Sequence, residues 1–567
     1  MVEMGKLSRV AIAAIALAVI AFGVLRVRST LTVFSSTFDE PDHIANGMEW
    51  LSRGTYTYEP KHTPLGRVAA AFPLWLDGSR TVGLAGAWDE GNAIFASRAR
   101  FKTDLAKARS GTIVFFVLMC GVVFCWSREL FGPWIGLLCL LEVSLLPAVL
   151  ALSGLVTTDM AGASTFLLSL WMLLRWSRQR TVWRAVAAGL CIGLALLAKL
   201  SAVPFLLGCA MAWLALQCWM RRGWPPEAIR FRLGQILLIG LSAFLLIWAG
   251  YRFQSEPLSR ANTVRLYQTR LDQHTVSGRL ISKALDVPIP GGNMIRGFGD
   301  LLLMERGPTI LQYFRGEVKR GGWHLYFPVA FAVKAPLPFL ILSGIMLLLA
   351  VRVAIRRGEI EWCYPAAFAA VVFLVCFPTH WNIGTRYLLA LYPLCSIGSG
   401  LAIKTMWQSR RFTLASRAVP IALMLWLGAE SVSAHPDYLA YFNELAGSHP
   451  EKILVEGDLD WGQDLYRLQQ EAERVHARPL WEFYYGSTSP QAYGLDARRL
   501  PDDGTVAGWV AVSMRHLLFS PERFAWLAPY SWRPVGKSIR LYYVPEPAPA
   551  PSALPSREQA LTMLHLR

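Results

Sequence analysis

About eleven apolar runs, each near the ~20 residues needed to cross a ~30 Å hydrocarbon core, constrain this chain more than any other feature. They fall at roughly 8–27, 110–127, 133–153, 159–176, 184–200, 202–219, 233–252, 328–351, 362–377, 387–403 and 415–431. In hydrocarbon every backbone N–H and C=O must be satisfied within the segment or a closed barrel, so runs of this length become helices. The 567 residues are 17% charged, against about 25% in soluble domains. The expected fold class is a polytopic α-helical membrane protein. Lys6 and Arg9 precede the first run, and no small-x-small pattern stands before Arg26-Val-Arg28. An uncleaved first span is therefore expected rather than a signal peptide.

A formal charge of +17 would suggest nucleic acid in a soluble protein. Here the cations gather in short loops. Arg175, Arg178, Arg180 and Arg184 share one, and Arg221, Arg222, Arg230 and Arg232 a second. Arg352, Arg356 and Arg357 mark a third; Lys404, Arg410, Arg411 and Arg417 a fourth. With eleven spans and a cytoplasmic N-terminus all four loops fall on the cytoplasmic side, the positive-inside pattern, so no nucleic-acid partner is expected. The nine cysteines lie in or beside apolar runs without CxxC spacing. They read as packing residues, with no disulfide framework or zinc site.

The opposite, extracytoplasmic side then receives residues 28–109, the Thr157-Thr-Asp-Met160 turn, residues 253–327, the His380–Arg386 turn and everything after about 432. The expected organisation is a transmembrane domain over 1–431, a small α/β domain over 432–544 and a Pro/Ala-rich linker and tail over 545–567. Within the first outer loop, Ile44, Met48 and Leu51 at helical spacing, with Pro41 before and Gly54 after, predict an interfacial helix over 41–52. In the tail domain, strands are expected at 453–455, 481–485, 508–513 and 539–544, with a helix over 464–476.

Chemistry concentrates in the outer segments. Asp39-Glu40 sits in Ser36-Thr-Phe-Asp-Glu-Pro-Asp-His43. It reads either as a capping box with Thr37 or as a general base whose neighbour orients it. Asp159 is a helix N-cap or a partner for that pair. Lys199, in Leu196-Leu-Ala-Lys-Leu200, either snorkels to the interface or joins Arg386 and the loop residues Lys61, His62 and Arg67 in an anion site. Asp458, Asp460 and Asp464 lack the glycine and glutamate of a calcium loop. Trp461 and the pair Tyr484-Tyr485 are either core or sugar-stacking residues.

The order of these elements resembles lipid-carrier-dependent glycosyltransferases of the GT-C type, similar to the protein O-mannosyltransferases and the aminoarabinose transferases of lipid A. The resemblance rests on Asp39-Glu40, His62-Thr-Pro-Leu65, the Asp159 turn, the Leu-Ala-Lys-Leu element and Asn382-Ile-Gly-Thr-Arg-Tyr-Leu388. Tyr441-Phe-Asn-Glu-Leu445 and Leu459-Asp-Trp-Gly-Gln-Asp464 resemble bacterial members. Thr63 departs from the proline common there, and the extra lumenal domain of the eukaryotic mannosyltransferases is absent.

The resemblance implies inverting transfer of a sugar, mannose or another hexose or pentose, from a polyprenyl-phosphate carrier. The acceptor is a hydroxyl of a protein, lipid or glycan at the outer face of a bacterial inner membrane. Asp39 would be the base, Glu40 its neighbour and Asp159 the second acid. Lys199, Arg386, Lys61 and Arg67 would meet the donor phosphate, with His43, His62, His380, Asn382 and Trp461 as acceptor or sugar contacts. Whether a divalent cation joins Asp39 and Asp159 stays open at this level. A transporter or flippase of lipid-linked sugars, or a non-enzymatic envelope assembly protein, are the rival readings.

Overall fold

The computed structural model describes residues 2–222, 233–260, 264, 275–307, 310–408, 413–502, 505–546 and 554–566. Arg230, Arg232, Arg410 and Arg411 of the expected cytoplasmic loops lie outside the described residues, as do 547–553 of the linker. Every apolar run becomes a helix: Val2–Thr30, Ile113–Phe131, Pro133–Leu145 with Pro147–Ser153, Asp159–Arg178, Val182–Ala198 and Ala202–Arg221. Leu233–Gly250, Leu337–Arg356, Tyr364–Cys376, Leu391–Trp407 and Thr413–Ser433 complete the set.

Two runs are interrupted where proline stands. The 133–153 run bends by 65° between Leu145 and Pro147. The 328–351 run splits into Tyr326–Lys334 and Leu337–Arg356 at Ala335-Pro336. Proline lacks the N–H that would continue the helix and pushes the preceding residue to an extended backbone. Among the described residues five helices are long and apolar enough to cross a membrane alone, or six if the bent pair is one span. The remaining runs are shorter or more polar. Asp159–Arg178 and Leu391–Trp407 are mostly buried against other helices, so they face protein and tolerate Ser164, Ser169, Ser396 and Ser399. By contrast, Leu17, Phe22, Leu237, Leu241, Leu348, Ile355 and Leu425 point outward on their helices.

At one end of the helix layer, Arg178 pairs with Glu361 at 2.7 Å and Lys404 lies 4.1 Å from the centre of the Trp362 ring. The first, third and fourth cationic loops therefore lie at a common end. The nine cysteines are free.

At the other end sit the helices of the first long loop, Glu40–Arg53, Pro64–Leu76, Ala87–Ala96 and Phe101–Ser110. The C-terminal region adds a five-stranded sheet, in the order Arg498–Arg499, Leu480–Phe483, Gly508–Ser513, Ile539–Val544, Trp532–Val535. Its first two pairings are parallel and the rest antiparallel, with Val510 opposite Tyr542. The strand expected at 453–455 is not one. Its backbone turns back on itself, Leu459 and Asp460 donating to the Val455 carbonyl. The segment expected to be a Pro/Ala-rich linker and tail contains helix Arg557–Met563, whose Leu561, with Leu564 just beyond, is buried in the sheet region's core.

This region shares one apolar core with the first loop. Ile44, Met48, Ala71, Leu74 and Leu105 pack in the same cluster as Leu465, Leu468, Leu480 and Leu541. Helices Glu40–Arg53 and Pro64–Leu76 approach so closely that a Cβ on Gly47 would lie 2.1 Å from the Arg67 carbonyl oxygen. Backbone cannot yield as a side chain can, so Gly47→Ala is expected to destabilise by about 3 kcal/mol. Thermal unfolding in detergent should show a lowered midpoint. An unchanged midpoint would mean that the two helices are less tightly coupled than this contact requires.

Candidate functional site

Glu40 and Asp39 are adjacent in sequence and serve different partners. Glu40 is fully buried, and Arg109 grips it with Nε to Oε1 at 2.8 Å and Nη2 to Oε2 at 2.7 Å. The N–H groups of Thr37 and Val156 complete its shell at 2.8 and 2.9 Å. The Thr37 bond is half of the expected capping box. The other half is missing, because the buried Thr37 hydroxyl has no partner. Asp39 makes no side-chain cap either. Its Oδ2 instead accepts from Arg386 Nη1 at 2.8 Å, and its side chain keeps a quarter of its surface open.

A second ion pair stands beside the first. Lys199 follows helix Val182–Ala198, and its Nζ lies 2.5 Å from Oδ1 of Asp159, the first residue of the next helix inward. Gly162 makes room for it: a Cβ there would be 2.8 Å from Lys199 Cβ. Arg386 and Lys199 both lie near the face of Tyr387, at 5.8 and 5.1 Å. Asp159, Lys199, Arg386 and Tyr387 line one cavity, whose other walls include Gly162, Ala163, Phe166, Phe205, Leu389 and Ala390. It thus has a charged side and an apolar side.

Behind this site lies a network that sequence spacing did not separate from it. Arg67 is 1% exposed, and its donors are all used. Nε donates to His43 Nδ1 at 3.0 Å, Nη1 to the Tyr56 hydroxyl and the Glu59 carbonyl, and Nη2 to Asp42 at 2.7 Å and Glu59 at 3.0 Å. A guanidinium so saturated has no donor for a phosphate, so the expected phosphate role of Arg67 is corrected to one of holding the loop. Burial raises the Asp42 carboxyl to about 6 against the pull of Arg67. Burial, then the charge of Arg67, keeps His43 well below its ordinary value, and Arg386 and Lys199 act in the same direction. His62 meets His43 edge to face at 5.4 Å and is pushed down to about 4, chiefly by burial. Both imidazoles are neutral at pH 7 and border the two ion pairs.

The other expected residues separate. Lys61 is part-exposed and makes no ion pair among the described residues. His380 is exposed, its ring nitrogen 3.0 Å from the Gly321 carbonyl. Asn382 is buried, and its Oδ1 accepts from Trp323 N at 2.5 Å. Asn382 pins the 380–386 turn, which corrects its expected place as an acceptor or sugar contact, whereas the His380 ring stays exposed. Trp461 is 3% exposed and carries the Arg386 guanidinium 4.5 Å from its ring centre, so it stacks on a cation where a sugar face was expected. Asp39 and Asp159 each hold a cationic partner. No group of three or more His, Cys, Asp or Glu among the described residues is placed to hold a metal ion.

Sequence reasoning missed Arg109, Asp42, Glu59 and the C-terminal clamp on the Asp39 loop. In that clamp Ser35 N donates to the Gln463 carbonyl, Ser36 N to the Tyr493 hydroxyl and Phe38 N to the Trp461 carbonyl, at 2.9 to 3.0 Å. The Phe38 carbonyl accepts from Ser487 Oγ at 2.7 Å. Only the acidic spacing of 39, 42 and 59 ahead of Arg67 hinted at any of this.

Residues 97–248 match the family model of the dolichyl-phosphate-mannose-protein mannosyltransferases. That stretch contains Asp159 and Lys199 but neither Asp39 nor Arg386. Among solved structures the chain is similar to ArnT from Cupriavidus metallidurans bound to undecaprenyl phosphate. The identity is 13%, over 93% of this chain and 97% of that one, with a TM-score of 0.47. It is also similar to the archaeal oligosaccharyltransferase AglB from Archaeoglobus fulgidus in complex with an inhibitory peptide and a dolichol-phosphate. There the identity is 13%, over 93% of this chain and 74% of that one, with a TM-score of 0.39. No curated protein sequence matches the chain.

The depressed His62 carries a pH signature. The folded state binds its proton less tightly than the unfolded chain, so its contribution is intact above pH 6.5 and is lost as pH falls toward 4. Asp42 shifts the other way, but it is common to wild type and a His62 variant and cancels in their difference. His62→Gln should therefore gain on wild type by about 2–3 kcal/mol between pH 7 and pH 4. Unfolding curves at both pH values measure it, and a constant difference would place His62 in water.

Proposed function

We propose that the chain transfers a sugar from a polyprenyl-phosphate carrier to an acceptor hydroxyl, with Asp39 as the base. The carrying observation is the pair of ion pairs, Asp39–Arg386 at 2.8 Å and Asp159–Lys199 at 2.5 Å, at one end of a membrane-type helix layer. The match of 97–248 to a mannosyltransferase family that takes its sugar from a dolichyl phosphate supports the donor class.

In the proposed reaction the acceptor oxygen attacks the anomeric carbon, and its proton passes to an Asp39 carboxylate oxygen. The bond from that carbon to the phosphate oxygen breaks on the opposite face, so the configuration inverts. The carrier phosphate leaves with one more negative charge, and Arg386 and Lys199 are the cations that meet it. An anion that draws Arg386 toward itself also frees Asp39 to take the proton. The apolar walls at Phe166, Phe205 and Leu389 suit the first carbons of the lipid. Glu40 acts through the loop it fastens, as a positioning residue. His43 and His62, neutral and beside the pairs, remain the residues proposed to contact sugar or acceptor. Lys61 stays a proposed phosphate ligand at the rim. The acceptor is a hydroxyl of a protein, lipid or glycan, and the site faces the outside of a bacterial inner membrane.

Two measurements test this reading. Purified protein supplied with a panel of radiolabelled polyprenyl-phosphate sugars and membrane acceptors should transfer label, and Asp39→Asn should lose at least about 10³-fold of the rate while still binding carrier phosphate. No transfer from any donor, with movement of the lipid across vesicles instead, would make the protein a transporter. For the sidedness, Gln470→Cys should be labelled from outside intact cells by a membrane-impermeant thiol reagent. Labelling only after the cells are opened would place this face in the cytoplasm.

A further inference from the structure

We infer that Glu456, contributed by the C-terminal region, binds a sugar hydroxyl at the Asp39 site through its free Oε2. The assignment rests on the transferase reading above.

Glu456 is held on a fixed mount. Its Oε1 accepts from Arg515 Nε and Nη2 at 3.3 and 3.2 Å. Its Oε2 is buried and has no hydrogen-bond partner. The side chain is 11% exposed. Arg515 cannot swing to cover the second oxygen. Its guanidinium lies over Tyr485 at 4.1 Å and Phe519 at 4.2 Å, and its backbone N–H donates to Asp460 Oδ2 at 2.9 Å.

The same mount touches the base's own loop. Phe38, the residue before Asp39, stacks on Tyr485 at 5.2 Å. The backbone of Glu456–Gly457 packs against Gly384, two residues before Arg386. Glu456 accordingly feels the charges of both Arg386 and Asp39. A buried carboxylate oxygen without a donor is costly, more so when charged, and such a group in a native structure calls for a functional or structural explanation. An O–H donor is what the unpartnered oxygen lacks. Sugar hydroxyls supply such donors, and they arrive with either the transferred sugar or a glycan acceptor.

The test uses the full chain in lipid nanodiscs, with the donor and acceptor that wild type turns over in the panel above. Glu456→Gln should lower kcat/KM about tenfold through a raised KM, while binding of sugar-free undecaprenyl phosphate is unchanged. Single-deoxy donors and single-deoxy acceptors form the two arms. The penalty should vanish on the one analogue that lacks the contacted hydroxyl, and its arm tells which substrate carries that group. Glu456→Asp, which keeps the charge and withdraws the oxygen, should show the same pattern if the glutamine variant does not fold. Equal turnover by the variant, or an equal penalty on every analogue, overturns the assignment while leaving the transferase reading intact. A wild type that transfers from no donor overturns both.

Discussion

The buried pair of Glu40 and Arg109 is the fastening on which the candidate site depends. All five guanidinium donors are engaged: two on Glu40, and the others on the carbonyls of Leu31, Phe34 and Ser35. One side chain thereby ties the end of the first helix to the start of helix Glu40–Arg53 and to the foot of helix Ile113–Phe131. Two charges removed from water are tolerable only when every lone pair and proton is met, and here Thr37 and Val156 supply the remaining donors. With Glu40 immobilised, the peptide before it has little freedom, and Asp39 is held out toward Arg386.

The consequence is an arrangement balanced in charge but not locked. Asp159, Lys199 and Arg386 line the charged side of one cavity, Asp39 pairs with Arg386, and each ion pair keeps some exposure. Paired charges of this kind can exchange partners at less cost than unpaired buried charge can be created. Arg67 shows the contrasting case. It is equally cationic and nearby, but its five donors are spent on His43, Tyr56, Asp42 and Glu59, so it supports and does not bind.

The C-terminal region belongs to the same construction. Its backbone and hydroxyl groups hold residues 35–38 from above, while the helices of the first loop share its apolar core. Trp461 sets the face on which Arg386 lies, and Asp458 accepts from the Thr385 hydroxyl at 2.6 Å. Asp39 thus meets Arg386 from 347 residues away along the chain, and the segment of Glu456 that packs beside Gly384 is also distant from it in sequence.

What the sequence determined alone was whatever depends on local composition. Apolar runs of bilayer length had to become helices, whereas the breaks at Pro147 and Pro336 came only with the structure, since Pro420 sits inside an unbroken helix. The alternation at 508–513 and 539–544 made strands. Asp39, Asp159, Lys199 and Arg386 stood out because charges beside such runs are costly without partners. Only the tertiary structure decided which charge meets which. Asp39 and Glu40 have the same chemistry and adjacent positions, yet one points to Arg386 and the other to Arg109. Arg67, Asn382 and Trp461 looked like ligands and became supports for the same reason. A side chain's role follows from the donors left unsatisfied around it, and those donors arrive from distant segments whose approach no local pattern encodes.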